Sequence, residues 1–208
     1  LSPQNTFPSI PVELQQAYPN LVTALGSVLR VDDYNEPKIQ RWVRHLAQIP
    51  SALHTRLVQA GLTEIHLGNC GVPDLDNLGH LRDITPRGWA AGSSWDQVEG
   101  CYDSDTKIIV AGNALGGSNS RILHEYGHAV GDLLGHDHDH ELIAAHIRCY
   151  SRLSPYYKQG GAGALAGREE MFAESFAEYF IFSRAEIERR YDAQYVTFLE
   201  KAVIGAQP

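Results

Sequence analysis

The chain has 208 residues, 43 % of them in the broad hydrophobic set, with 19 Gly, 10 Pro and a formal net charge of −8 from 17 basic and 25 acidic side chains. That is enough apolar material for one compact unit, and it excludes collagen-like, coiled-coil and disordered compositions. The acidic balance offers no electrostatic footprint for nucleic acid or an anionic membrane, and the longest apolar runs, such as Lys107 to Ala111, are far too short to span a bilayer.

The chain starts Leu1-Ser2-Pro3-Gln4-Asn5-Thr6, with no apolar stretch, which reads as a processed or trimmed beginning. Val12, Leu14, Ala17, Leu21, Ala24, Leu25, Val28 and Leu29 recur at helical spacing, a second periodic stretch runs from Pro37 to about Gln48, and Pro50-Ser51 starts a third that ends near Gly61. Residues 1–62 are therefore expected to be a helical N-terminal region. The texture then changes. Thr63 to Leu67 alternates as a strand, and Thr106 to Ala111 is a short β-rich run, expected to be an edge strand open to an extended peptide. Between them lies a long loop with Trp89 and Trp95.

From about Asn119 to Leu134 the apolar residues return to helical spacing, with Ser118, Asn119 or Ser120 as cap and Gly135 as stop. Further helices are predicted over roughly 139–153, 168–182 and 185–202, and the glycine-rich stretch from Gly160 to Gly167 reads as a mobile loop. The pattern predicts one α+β domain with a small mixed sheet, residues 63–208 forming its core. Cys70, Cys101 and Cys149 allow at most one disulfide.

The chemistry is concentrated on the 119–134 helix, where His124-Glu125-Tyr126-Gly127-His128 spells His-Glu-x-x-His. Residues four apart lie on one face, about 6 Å along the axis, so both imidazoles reach a single tetrahedral zinc ion. Glu125 projects beside them, placed to take a proton from water.

A catalytic zinc needs a third protein ligand. The metzincin position fails because residue 134 is Leu and the nearest histidine, His136, lies two residues too far along. Cys101 is a second candidate, in the manner of peptide deformylases, although the glycine-rich segment expected of those enzymes is missing. The third is the helix from Arg168 to Phe180, on which Glu170, Glu174 and Glu178 stack at i, i+4 and i+8. Such a column of like charges costs about 0.2–0.5 kcal/mol per pair unless cations neutralise it. Glu170 is assigned as third ligand, with Glu174 holding a ligand imidazole in its metal-binding tautomer.

These residues resemble the zinc endopeptidases that include the catalytic domain of anthrax toxin lethal factor and the secreted Pro-Pro endopeptidases. The likeness lies in His124 to Val130, in Glu169 to Ala177, and upstream in Ile84 to Trp89 and Trp95-Asp96-Gln97-Val98-Glu99-Gly100. It implies a zincin-like fold, zinc on His124, His128 and Glu170, Glu125 as base, and Trp95 as a substrate contact. It also implies secretion or delivery into a host cell. The family places an oxyanion-stabilising tyrosine seven residues before the ligand glutamate, where this chain has Gly163. Tyr156 and Tyr157 are the nearest replacements, and Tyr157 is preferred. Ser93 and Ser94 stand where the Pro-Pro endopeptidases have a basic residue before the tryptophan, which leaves proline specificity open.

The resulting expectation is a monomeric endopeptidase with one Zn²⁺, acting on peptide or protein substrates. Loss of the expected tyrosine supports an alternative: a catalytically weak, zinc-stabilised peptide-binding module. The run from His136 to Glu141 reads as a polar turn rather than a second metal site. His45, His54, His66, His80 and His146 read as ordinary histidines, and Trp42 as packing.

Overall fold

A computed structural model describes residues 10–86, 90–112 and 120–205; Trp89 and the alternative caps Ser118 and Asn119 lie outside them. Two short helices, α1 (Val12–Ala17) and α2 (Pro19–Leu25), lead into strand β1 (Leu29–Val31), followed by α3 (Pro37–Leu46), α4 (Ser51–Gln59) and β2 (Glu64–Leu67). Three short 3₁₀ turns precede β3 (Gly100–Asp103) and β4 (Ile108–Ala111); then come α5 (Arg121–Leu133), α6 (His140–Cys149), α7 (Leu165–Tyr179), α8 (Arg184–Arg190) and α9 (Ala193–Ile204). None of these helices is long and apolar enough to cross a membrane.

The strands form one mixed sheet in the order β1-β2-β4-β3, with the first two pairings parallel and the last antiparallel. This corrects two expectations. The N-terminal region is not wholly helical: Pro19 restarts the helix, and Val28 and Leu29, which continue its spacing, instead enter a strand that pairs Leu29 with Ile65. The run ending at Ala111 is not the edge either. All four residues of β4 are buried and both its sides are taken, by β2 and β3. An unbroken apolar run is what an interior strand requires. The edge is β3.

One face of the sheet, with Ile65, Leu67, Ile109 and Ala111, packs into a core that runs from Leu14 to Val203; the other, with Cys101, Ile108 and Val110, is covered by Val72, Leu75 and Leu78. The sequence predicted one helix over 185–202, but α8 ends at Arg190 and α9 begins after Asp192, whose carboxylate accepts the Tyr195 N–H at 2.8 Å and caps a new helix. The Gly160–Gly167 stretch is turn followed by the first residues of α7, with positive φ at Gly160, Gly161 and Gly163. It is tied by hydrogen bonds rather than hanging free: Gly163 N–H donates to His146, and Gly163 O accepts from Arg168.

Helix α5 is the centre of the molecule. Ser120 caps it by accepting the Leu123 N–H, and Gly135, at φ 78°, ends it. The N-terminal helices hold it from behind. His45 Nδ1 meets Ser120 Oγ at 2.6 Å, and His54 accepts from the buried Tyr126 hydroxyl at 2.7 Å while donating to Leu46 O. In front, Gly127 brings α5 against Ala173 of α7, and Tyr126 stacks on Phe176 with centroids 5.8 Å apart.

Candidate metal centre and cleft

The helix pair α5/α7 and the edge strand β3 enclose a cleft of about 920 Å³, within the range of small-molecule and peptide sites. His124, Glu125 and His128 line it from α5, Glu170 and Glu174 from α7, Trp95 from the turn before β3, and Tyr156 and Tyr157 from the turn before α7. Every site residue expected from the sequence therefore faces one space.

At its floor His124 Nε2 and His128 Nε2 are 3.2 Å apart, and Glu170 Oε2 lies 3.4 Å from the first and 3.5 Å from the second. Ligand atoms held at about 2.0–2.1 Å from a tetrahedral ion are separated by about 3.3–3.4 Å. The three atoms thus have the spacing that three ligands of a tetrahedral divalent cation would need, and they are the group suited to a metal among the described residues. Cys101 lines the same cleft but is not part of this group, which removes the deformylase-like ligand set. All three cysteines are free thiols, and burial together with the Glu125 charge pushes the Cys101 thiol well up.

The charge distribution agrees. Burial disfavours the His124 cation, yet hydrogen bonds with Glu170 and Glu174 override it and raise the ring to about 9. Burial likewise opposes ionisation of Glu170, but contact with His124 and His128 drives its pKa far down. The pocket is built to hold positive charge. Glu174 Oε2 accepts from His124 Nδ1 at 2.9 Å, so that Nε2 is the nitrogen that would give up its proton and turn its lone pair to a bound metal.

Glu125 is clamped on both oxygens. Oε2 accepts the Tyr102 N–H of β3 at 2.9 Å, and Oε1 lies 3.4 Å from Arg121 Nη1. The sequence reading missed Arg121, whose only signal was its place one turn before Glu125. Gly100 makes room for it: a Cβ there would lie 2.7 Å from Arg121 Cγ.

The tyrosines divide. Burial and the nearby Glu170 carboxylate push the Tyr156 phenol up, whereas Tyr157 is raised first by burial and then by Glu174 and Glu178, deeper along α7. Tyr157 is the expectation from the sequence, and both tyrosines line the cleft, with Tyr156 the one set beside the expected ligand carboxylate. Trp95 is half-buried, and its indole N–H has no hydrogen-bond partner among the described residues.

The run after Gly135 forms a 3₁₀ turn and the start of α6, which Asp139 caps through the Glu141 N–H. His136 packs between Phe172 and Phe198. Asp137 turns into the cleft, and burial and nearby Glu169 raise it to about 7.

A mixed sheet with an antiparallel edge strand beside a His-Glu-x-x-His helix, completed by a glutamate from a later helix, is the zincin-like arrangement of metallopeptidases. The family model for anthrax toxin lethal factor, N- and C-terminal domain, matches residues 17–193, and the chain belongs to that family. It is 27 % identical over 163 residues to a Pro-Pro endopeptidase of Clostridioides difficile (strain 630), covering 74 % of this chain and 70 % of the relative. The solved structure of the Pro-Pro endopeptidase from Paenibacillus alvei shares the fold, with a TM-score of 0.64 at 21 % identity, over 86 % of this chain and 98 % of that one.

Proposed function

We propose that the chain is a zinc-dependent endopeptidase, a single catalytic unit acting as a monomer on extended peptide segments of protein substrates. The observation that carries this is the triangle of His124, His128 and Glu170 donors with Glu125 beside it. Two imidazoles and one carboxylate are a donor set suited to zinc with a position left open.

When bound, zinc supplies Lewis acidity, polarising the scissile carbonyl and bringing the pKa of a water toward about 7. Glu125 accepts a proton from the attacking water and returns it to the departing amine. Its clamp between Tyr102 N–H and Arg121 sets its direction before substrate arrives. The Tyr156 hydroxyl, already over Glu170, turns to the carbonyl oxygen as negative charge develops there.

Along β3 the carbonyls of Glu99 and Asp103 bond inward to Gly112 and Lys107, so by antiparallel alternation Gly100 and Tyr102 direct their backbone groups to the cleft. With the Tyr102 N–H taken by Glu125, the Gly100 N–H and C=O and the Tyr102 C=O pair with a substrate strand. The Trp95 indole N–H is a donor for the same segment.

The named relatives make proline-containing peptides the first to try, and they favour secretion of this protein or its delivery into a host. Tyr156, in the cleft beside Glu170, favours this reading over the peptide-binding module, whose argument rests on the lack of a tyrosine there. A diverse peptide library decides: chelator-sensitive cleavage, lost in a Glu125→Gln variant that keeps one equivalent of zinc, is expected. Intact peptides, or cleavage that persists in the variant, would overturn the reading.

A further inference from the structure

The segment that delivers Tyr156 leaves α6 as a 3₁₀ turn (Tyr150–Arg152), makes a second one (Pro155–Lys158) and returns through the glycines to α7. Tyr156 is 37 % exposed, so its own packing does little to fix it. Arg168 ties the segment at Gly163 O and Tyr150 at Lys158 O, and His146 of α6, which is 0 % exposed, ties it at two further points. Its Nε2 lies 2.7 Å from Tyr157 O and its Nδ1 2.8 Å from Gly163 N.

A carbonyl can only accept and an amide N–H can only donate. These two bonds therefore select one form of the ring, neutral, with the proton on Nε2. Burial agrees, depressing the pKa against the opposing pull of the Tyr157 carbonyl. The ring bridges both ends of the 157–163 excursion, whose first residue lines the cleft. Its surroundings leave no slack: Tyr150 packs edge-on at 5.7 Å, and a Cβ on Gly167 would lie 2.5 Å from Tyr157 O and 3.0 Å from His146 Nε2. The carbonyl that His146 grips is that of Tyr157, the residue immediately after Tyr156.

We propose that His146 is a positioning residue for peptide hydrolysis. By holding Tyr157 O and Gly163 N–H at once, it fixes the turn that sets the Tyr156 hydroxyl over the metal centre. The proposal rests on Tyr156 as the oxyanion donor and goes beyond it: it names the device by which a tyrosine displaced from the family position is returned to the site. His146 touches neither substrate nor metal and acts only through the turn.

The test is a double-mutant cycle on the zinc-loaded full chain, with hydrogen–deuterium exchange on the same proteins. His146→Leu is expected to lower kcat by about 10²-fold, the scale of a roughly 1 Å misplacement, with KM within about threefold and one zinc retained. Exchange should rise in 150–163 while α5 and α7 stay protected. His146→Gln, which presents an amide N–H in place of Nε2, should recover most of kcat and keeps the proposal testable if the leucine variant does not fold. In a Tyr156→Phe background, His146→Leu and His146→Gln should each cost less than about twofold more.

Full additivity in that background, or unchanged exchange in 150–163, would overturn the proposal while leaving the tyrosine reading intact. A silent Tyr156→Phe would overturn the tyrosine reading itself.

Discussion

The residue most sensitive to the fit between the two active helices is Gly127, between the two histidines. A Cβ placed there would lie 2.8 Å from Ala173 Cα and 2.9 Å from Ala173 O. Non-bonded carbons settle at about 3.5 Å or more, and here the obstruction is backbone, so Gly127→Ala forces α5 and α7 apart by about 0.6 Å or more. Glu170 stands one turn before Ala173, and His124 and His128 flank Gly127, so the separation passes to the ligand triangle. Metal sites tolerate about 0.2 Å in their bond lengths; the displacement is some three times larger. The effect on folding is smaller, because overpacking costs about 1–3 kcal/mol while alanine recovers about 1 kcal/mol of helix propensity. The variant should therefore remain folded, with metal-free stability reduced by about 0–2 kcal/mol, yet bind zinc at least about 10-fold more weakly. Competition against a chromophoric chelator measures the affinity, and thermal unfolding of the metal-free protein measures the stability. An unchanged zinc affinity with unchanged kcat would refute the claim that α5/α7 contact sets the ligand geometry.

Three other outcomes are expected. Glu174→Ala removes the acceptor for His124 Nδ1 and should weaken zinc by about 10–100-fold in the same competition; an unaltered affinity would show that the contact does not orient the ring. Tyr156→Phe should lower kcat about 10²–10³-fold with zinc content unchanged, whereas Tyr157→Phe should stay within a few-fold; the reverse order in steady-state assays would return the role to Tyr157. His54 is buried neutral, its pKa lowered by burial from 6.5 to about 4. The unfolded chain thus takes up the proton first, and stability present above pH 6.5 is lost as pH falls toward 4, by about 3 kcal/mol in the limit. Urea unfolding at pH 7 and 4.5 should show a smaller difference for His54→Gln than for the parent, and equal differences would exclude His54 as the titrating group.

What the sequence made legible was local, and what it hid was set by distant partners. Ile39, Trp42, Val43 and Leu46 repeat on one face, and all four are buried in α3. Ser120, Gly135 and Asp139 sit at helix ends whose chemistry any such residue announces. The strand β1 carries no local sign, because Leu29, which continues a helical spacing, enters a three-residue strand only by meeting β2. Gly100-Cys101-Tyr102-Asp103 has little β character of its own and owes its edge position to pairing with β4. Tyr156 and Tyr157 are indistinguishable by composition; what separates them is the turn that carries both, which is held in part by His146, ten residues before Tyr156 in the chain.

The acidic column on α7 shows how far a physical anomaly in sequence can be followed. Glu170, Glu174 and Glu178 are all buried on one face, where three unmatched carboxylates would be untenable. Each finds a different set of partners. Glu170 faces His124 and His128 and any ion they hold, Glu174 takes His124 from the other side of the ring, and Glu178 pairs with Arg190 of α8. Only the first two partners belong to the metal centre. The third binds the helix that follows, and burial pushes Glu178 upward rather than down. Equal spacing in the sequence therefore conceals unequal roles. Loss of Glu170 or Glu174 acts on the metal, whereas loss of Glu178 acts on the seat of α8 and reaches the cleft only through the packing of α7.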